Sequence, residues 1–174
     1  MKFRILSLAL ICLLNACGES GSDEIYNENN TNVVDGVVYD INEKPINGIY
    51  KTYYPNGNIK MEVESQKGKP EGKGRFYDED GNILYEGTFS DGKIDGKMLN
   101  FYPDGSVHNE VNYNEGVQNG ISRTYNEDGS LAVETKFEKG KAVSGYAMIQ
   151  EHKIDLSPED LQALSQPQSE QPLQ

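Results

Sequence analysis

The stretch "YYPNGNIKMEV", residues 53–63, decides the fold. It joins aromatic residues, a Pro-Asn-Gly break and an apolar alternation, which is the pattern of a single β-hairpin. Its outline returns as "YDEDGNILYEG" (77–87), "FYPDGSVHNEV" (101–111) and "YNEDGSLAVET" (125–135). Turn glycines stand at Gly57, Gly81, Gly105 and Gly129, and second glycines at Gly68, Gly92, Gly116 and Gly140. A third series is Gly48, Gly72, Gly96 and Gly120, and each series steps by 24 residues. Four residues before each turn glycine is an aromatic: Tyr53, Tyr77, Phe101, Tyr125. Two after it comes an aliphatic (Ile59, Ile83, Val107, Leu131), and five after it a glutamate (Glu62, Glu86, Glu110, Glu134). Spacing held at this many positions marks an internal repeat.

Turn chemistry sets the pairing. "PNG", "EDG", "PDG" and "EDG" suit a type I turn closed by a left-handed glycine, a three-residue loop with a G1 bulge. That loop places Tyr53 opposite Ile59, Tyr77 opposite Ile83, Phe101 opposite Val107 and Tyr125 opposite Leu131. A two-residue loop would put these apolar partners on opposite faces, which burial of one face resists. Each repeat is then two strands and two turns, stabilised mainly by its neighbours. The expected fold is all-β: an elongated antiparallel meander of hairpin repeats at about 48–71, 72–95, 96–119 and 120–143, within a domain spanning 33–150. Before the repeats, Val37, Tyr39 and Ile41 alternate as in a strand, and Gly145 to Ile149 are expected to cap the far end. In 151–174, "LSPEDLQAL" carries a helix start: Ser157 as N-cap, Pro158 in the first turn, Asp160 three residues after the cap. A disordered tail is expected after it.

Composition narrows the function classes. The 174-residue chain has net charge −12, 36% hydrophobic residues and no Trp. A thin core is expected, and acidity of this degree repels phosphate backbones and anionic lipid surfaces, so no nucleic-acid partner is expected. The first residues, "MKFRILSLALICLLNAC", combine basic Lys2 and Arg4, an apolar run from Ile5 to Leu14 and a small-residue exit at Ala16. The apolar run is short for a permanent membrane span. "LNAC", Leu14 to Cys17, resembles the lipobox of bacterial lipoproteins. The resemblance implies a signal peptide over 1–16, acylation of Cys17 and a lipid-anchored protein of the bacterial envelope, in the outer membrane or at the cell surface. The polar stretch 18–32 reads as a disordered spacer, making 17–32 an acylated linker.

"YEGTFSDGKIDGK", residues 85–97, resembles a MORN repeat: Tyr-x-Gly, an aromatic, then two spaced glycines. The 24-residue unit is similar to the bacterial MORN variant, whose members include YwqK-type antitoxins and many secreted lipoproteins. The resemblance covers about residues 36–149 and implies association with membranes or a protein-scaffolding role.

No catalytic constellation is legible. His108 and His152 lie in different segments without metal-ligand spacing, and no Gly-x-Ser-x-Gly elbow occurs. The glutamates recur too regularly for an acid–base pair and point to bonding with the turn or the next hairpin. "YDEDGN" and "YNEDGS" resemble calcium loops, but Gly87 and Thr135 stand where an EF-hand needs its acid. The expectation is no catalytic residue, no metal and no cofactor. Alternation places Tyr50, Tyr54, Phe76, Met98 and Tyr102, with Leu84 and His108, on the face opposite the aromatic–aliphatic pairs. The matching residues of the fourth repeat are Ser122, Thr124, Asn126 and Ala132, so apolar character there is expected in the first three repeats only. That face is either covered from within the chain or a docking surface for a protein or envelope polymer. Two functions stay open: a membrane-anchored interaction module, or an exported antitoxin- or immunity-like inhibitor.

Overall fold

The computed structural model describes residues 24–165; the signal stretch, Cys17 and the tail from residue 166 lie outside them. The repeats form hairpins in chain order. These are β4 (Gly48–Tyr53) with β5 (Ile59–Gln66), β6 (Lys69–Tyr77) with β7 (Ile83–Ser90), β8 (Lys93–Phe101) with β9 (Val107–Asn114), and β11 (Gly120–Tyr125) with β12 (Leu131–Glu138). Each hairpin pairs with the next, and β10 (Val117–Gln118) pairs with β9, in one sheet of 12 strands. This is the expected all-β repeat meander.

The hairpin register is the one the turn chemistry demands. Tyr53 pairs with Ile59, Tyr77 with Ile83, Phe101 with Val107 and Tyr125 with Leu131. In the first loop the Tyr54 N–H donates to the Asn58 carbonyl at 2.8 Å and the Gly57 N–H to the Tyr54 carbonyl at 2.9 Å. Gly57 sits at φ 89°, in the left-handed region that closes a three-residue loop. These loops line one edge of the sheet, the loop edge.

The opposite edge, the turn edge, uses two-residue turns. Lys67–Gly68, Asp91–Gly92, Glu115–Gly116 and Lys139–Gly140 all have positive φ at both residues, as a type I′ turn requires. Successive turns are stitched together. The N–H groups of Gly68, Gly92, Gly116 and Gly140 donate to the carbonyls of Ile46, Pro70, Ile94 and Gln118 at 2.8–2.9 Å. Side chains one residue before the third glycine series accept from the next turn: Asn47 from the Lys67 N–H at 2.9 Å, and Glu71 from the Asp91 N–H at 2.8 Å. Asp95 and Asn119 face the Glu115 and Lys139 N–H groups in the same way at 3.4 and 3.3 Å. The backbone donors of a turn that ends one hairpin are thus satisfied by its neighbour.

Both ends depart from the expected boundaries. Residues 25–32 are not a disordered spacer, because β1 (Ile25–Asn27) pairs parallel with β4 and adds the first edge strand. The acidic composition of 18–32 conceals Ile25 and Tyr26; Tyr26 is buried, and the backbone of β1 supplies the hydrogen bonds. The sheet is therefore mixed, not wholly antiparallel. β2 (Thr31–Val34) and β3 (Val37–Asp40) form a separate hairpin around Asp35–Gly36, held by the Val38 N–H on the Gly68 carbonyl at 2.8 Å. Ile41 falls outside β3 and is 75% exposed. At the far end β13 (Lys141–Ile149) is followed by β14 (His152–Asp155), a strand that the expected boundary at residue 150 missed. Gln150 and Glu151 turn at φ 48° and 66° without any glycine to announce it. The helix α1 (Pro158–Leu164) has the expected capping box: Ser157 accepts from the Asp160 N–H, and Asp160 accepts from the Ser157 N–H.

Candidate functional site: the two faces of the sheet

The register of each hairpin contains a second irregularity, one step beyond the aliphatic residue. After Tyr53–Ile59 the next pair is Thr52–Met61, so Lys60 is a bulge; Leu84, His108 and Ala132 repeat it. A bulge reverses the alternation of everything after it. Glu62, Glu86, Glu110 and Glu134 therefore rejoin the face of the aromatic–aliphatic pairs, and Met61, Val63, Tyr85, Phe89, Val111 and Phe137 turn to the other.

On the first face the glutamates form a charged ladder across the strands. Lys51 Nζ lies 3.1 Å from Glu62, Arg75 contacts Glu62 at 3.7 Å, and the Arg75 Nε donates to Glu86 at 2.6 Å. Further along, Lys97 reaches Glu110 at 2.7 Å, and Arg123 contacts Glu110 at 3.7 Å and Glu134 at 2.9 Å. Arg75 and Arg123 each bridge two hairpins, and their hydrogen bonds to Glu86 and Glu134 raise their pKa. The Tyr77 hydroxyl donates to Glu62 at 2.7 Å, and its pKa is pushed up to about 12 by burial and by that carboxylate. Burial works against the charge of Glu62, but the hydrogen bonds from Tyr77 and Lys51 and the charges of Lys51 and Arg75 outweigh it and lower its pKa. The periodic glutamates are structural: Glu62 and Glu110 link a hairpin to the arginine of the next, while Glu86 and Glu134 pair with the arginine of their own hairpin.

A pH dependence follows. A carboxylate whose folded pKa is lowered stabilises the fold above its unfolded value and loses that contribution as pH falls through the folded one. Thermal unfolding midpoints are expected to drop on acidification below about pH 4.5, the ordinary glutamate range. Glu62→Gln should start lower at pH 7 and fall less steeply between pH 5 and 3 (roughly the carboxylate window). A parallel fall in both proteins would show that Glu62 carries none of the effect; calorimetry across pH measures it.

The second face holds Tyr50, Phe76, Met98, Tyr54 and Tyr102, as the alternation implied, on a floor of glycines. Phe76 meets Tyr85 edge-on with ring centroids 6.4 Å apart, and Phe89 lies at the same distance. A Cβ on Gly74 would stand 2.7 Å from the Phe89 ring, and one on Gly87 2.8 Å from the Met98 sulfur. Those glycines make room for the side chains above them. His108 packs against Tyr102, centroids 4.4 Å apart, and Lys60 lies over Tyr54 at 5.5 Å. Two tyrosines of this face are engaged within the chain, however. The Tyr54 hydroxyl donates to the Tyr77 carbonyl at 2.7 Å, and the Tyr102 hydroxyl to the Tyr125 carbonyl at 2.8 Å. Each ties one hairpin to the end of the next.

Apolar character on this face also extends past the third repeat, contrary to expectation, because the bulge at Ala132 brings Val133 and Phe137 to it, with Phe137 only 6% exposed. There the C-terminal segment covers it: Leu156 Cδ1 lies 3.0 Å from where a Cβ on Gly145 would stand, and Gly145 pairs with Thr135. Over the second and third repeats Phe76, Leu84, Phe89, Met98 and Val111 stay partly exposed and Tyr85 is 37% exposed.

Among the described residues no three His, Cys, Asp or Glu side chains gather as a metal-binding group. The depression beside Glu62, Lys73 and Arg75 holds about 140 Å³ and is open to solvent.

A family model described as "MORN repeat variant" matches residues 46–67, 70–91, 94–115 and 118–139. The chain belongs to the MORN repeat variant family. Each matched MORN unit begins near a stitched turn and ends in the next one, starting two residues and ending four residues before the boundaries drawn from the glycines. No curated protein matches the chain. Two solved structures are similar over part of it. One is a mutant of S. aureus TarM in complex with fondaparinux, alpha-GlcNAc-glycerol and UDP, at 15% identity, over 72% of this chain and 21% of that one, with a TM-score of 0.27. The other is a GtfA/B complex bound to UDP and GlcNAc, at 10% identity, over 80% of this chain and 28% of that one, also at 0.27. The chain spans about a quarter of those proteins, and scores so low carry no argument about fold or activity.

Proposed function

We propose that this MORN protein is a lipid-anchored interaction module of the bacterial envelope, holding another protein or an envelope polymer on its repeat sheet and performing no catalysis. The observation that carries this reading is the apolar face over the second and third repeats, where Phe76, Leu84, Tyr85, Phe89 and Met98 keep exposed surface on a continuous sheet. Monomers rarely leave such patches without a use. Acylation of Cys17 would hold the module at a membrane, since two or more acyl chains anchor stably. Cys17→Ser is expected to release the folded protein into the soluble fraction or leave its precursor unprocessed. Fractionation in high salt tests this; persistence of mature Cys17→Ser protein in membranes removes the anchor from the reading. The binding role is tested by crosslinking the tethered protein and comparing its captured partners with those of Tyr85→Ser, Leu84→Ser. Loss of a specific partner supports the module. A captured toxin would make it an immunity-like inhibitor, and capture unaffected by the substitutions would move the site off this face.

A further inference from the structure

The apolar side of the sheet is free of charge across six adjacent strands, from β4 to β9. Thr52, Met61, Phe76, Tyr85, Asn100 and Asn109 pair in turn across them. The next row on this face runs from Tyr50 to Val111 through Gly74 and Gly87. Neither row holds an acidic or basic side chain. The row between them points to the other face, where Lys51, Glu62, Arg75, Glu86 and Glu110 are charged and Leu99 alone is not. In a chain of 28 acidic and 16 basic residues, that segregation gives one face the charge depletion of an interface core. Lys60 borders it at the loop edge, over the Tyr54 ring. Six strands at about 4.8 Å and eight residues at about 3.3 Å give a face of about 29 by 26 Å, or about 750 Å². A standard-size interface buries about 800 Å² on each partner. One more copy of the same face suffices to cover it, at the usual separation of about 10 Å between packed sheets.

The C-terminal segment selects the arrangement. It lies against β13 at the far end of this face, with Leu156 beside Gly145 and the Ala142 N–H donating to the Ser165 hydroxyl at 2.8 Å. A two-fold axis running across the strands would set β13 over its own counterpart, and two such segments would collide in one gap. An axis along the strands, between β6 and β7, reverses the strand order instead. Then β6 faces β7, β4 faces β9, and β12 and β13 with their covering segment pass outside β1, the first strand of the other copy. The loop edges of the two copies lie together, with the loop 78–82 at the axis.

We infer that the apolar face pairs with the same face of a second copy of this chain, giving a two-fold dimer whose charged ladders point outward. The inference rests on the proposed docking role of this face and names its occupant. The face is self-complementary in this arrangement and the C-terminal segment closes its remainder, so assembly stops at two copies.

The test uses the chain from residue 17 with Cys17→Ser, so that neither acyl groups nor that thiol join the copies. Sedimentation equilibrium is expected to show a dimer at micromolar concentration. Tyr85→Glu, which places a charge beside the axis, should weaken it at least about tenfold, while Lys73→Ser on the ladder face leaves it unchanged. Circular dichroism checks that each variant keeps its sheet. Glu79→Cys and Glu127→Cys alter exposed loop residues and leave the face intact. A bismaleimide of about 10 Å span should join Glu79→Cys copies, whose loops meet at the axis. It should leave Glu127→Cys copies unjoined, since their loops lie about eight strand spacings, or about 38 Å, apart. Because the acidic loops sit side by side, added salt should strengthen the dimer; weakening by salt would mean an ionic interface and overturn the pairing. A monomer at every concentration overturns it too. If the Tyr85→Ser, Leu84→Ser protein then still loses a captured partner, the docking face stands and only its occupant changes. A dimer indifferent to Tyr85→Glu, or joined through Glu127→Cys and not through Glu79→Cys, overturns the arrangement.

Discussion

Gly68→Ala is expected to destabilise the protein by about 3–4 kcal/mol, whereas Gly105→Ala should cost only about 1–2 kcal/mol. The comparison isolates one effect. Both glycines sit in the left-handed region, at φ 77° and 84°, so the backbone strain of a side chain is common to them. Their surroundings differ. A Cβ on Gly105 would meet nothing within 4 Å, but one on Gly68 would stand 2.5 Å from the Val38 carbonyl oxygen and from Val37. Relief requires the β2–β3 hairpin to move, which breaks the bond between the Val38 N–H and the Gly68 carbonyl. Urea unfolding of the two variants measures the difference. Equal losses would mean that the hairpin is only loosely held against the repeats.

The second large effect concerns the tyrosines. Tyr54→Ser combined with Tyr102→Ser is expected to cost about 4–5 kcal/mol, since each change removes a part-buried ring and a hydrogen bond. The sites lie two repeats apart, so their effects should add. Tyr54→Phe and Tyr102→Phe keep the rings and should lose only about 1 kcal/mol each, the net worth of a hydrogen bond. Were this face a free docking surface at Tyr54 and Tyr102, the double serine variant would keep its stability. The hydroxyl bonds to the Tyr77 and Tyr125 carbonyls make it a folding mutant instead. An unchanged melting temperature would show that these residues are free to serve as docking anchors.

Some features of the site were open to a reader of the sequence and some were not. The periodic glutamates were legible as structural because catalytic pairs have no reason to recur every 24 residues. Their partners Arg75 and Arg123 were not, because they occur in alternate repeats only. The acceptors Asn47, Glu71, Asp95 and Asn119 carry a readable signal, an acid or amide before every third-series glycine, whose purpose appears only when consecutive turns are stacked.

What the chain determined by itself was the local geometry. Left-handed glycines and Pro-Asn-Gly or Glu-Asp-Gly loops restrict φ and ψ within a few residues, and that restriction dictated hairpin, register and repeat length without help from distant contacts. The same holds for the capping box of α1. Tertiary structure decided what depends on neighbours. The bulges at Lys60, Leu84, His108 and Ala132 involve no special residue type, yet they reverse half of every second strand. They allow the glutamates to meet cations across the strands, those of the next hairpin for Glu62 and Glu110, while the aromatics of both strands share the other face. β1 and β14 have too little periodicity to announce themselves, and they exist because the first and last hairpins offer unpaired backbone donors and acceptors at the sheet's edges.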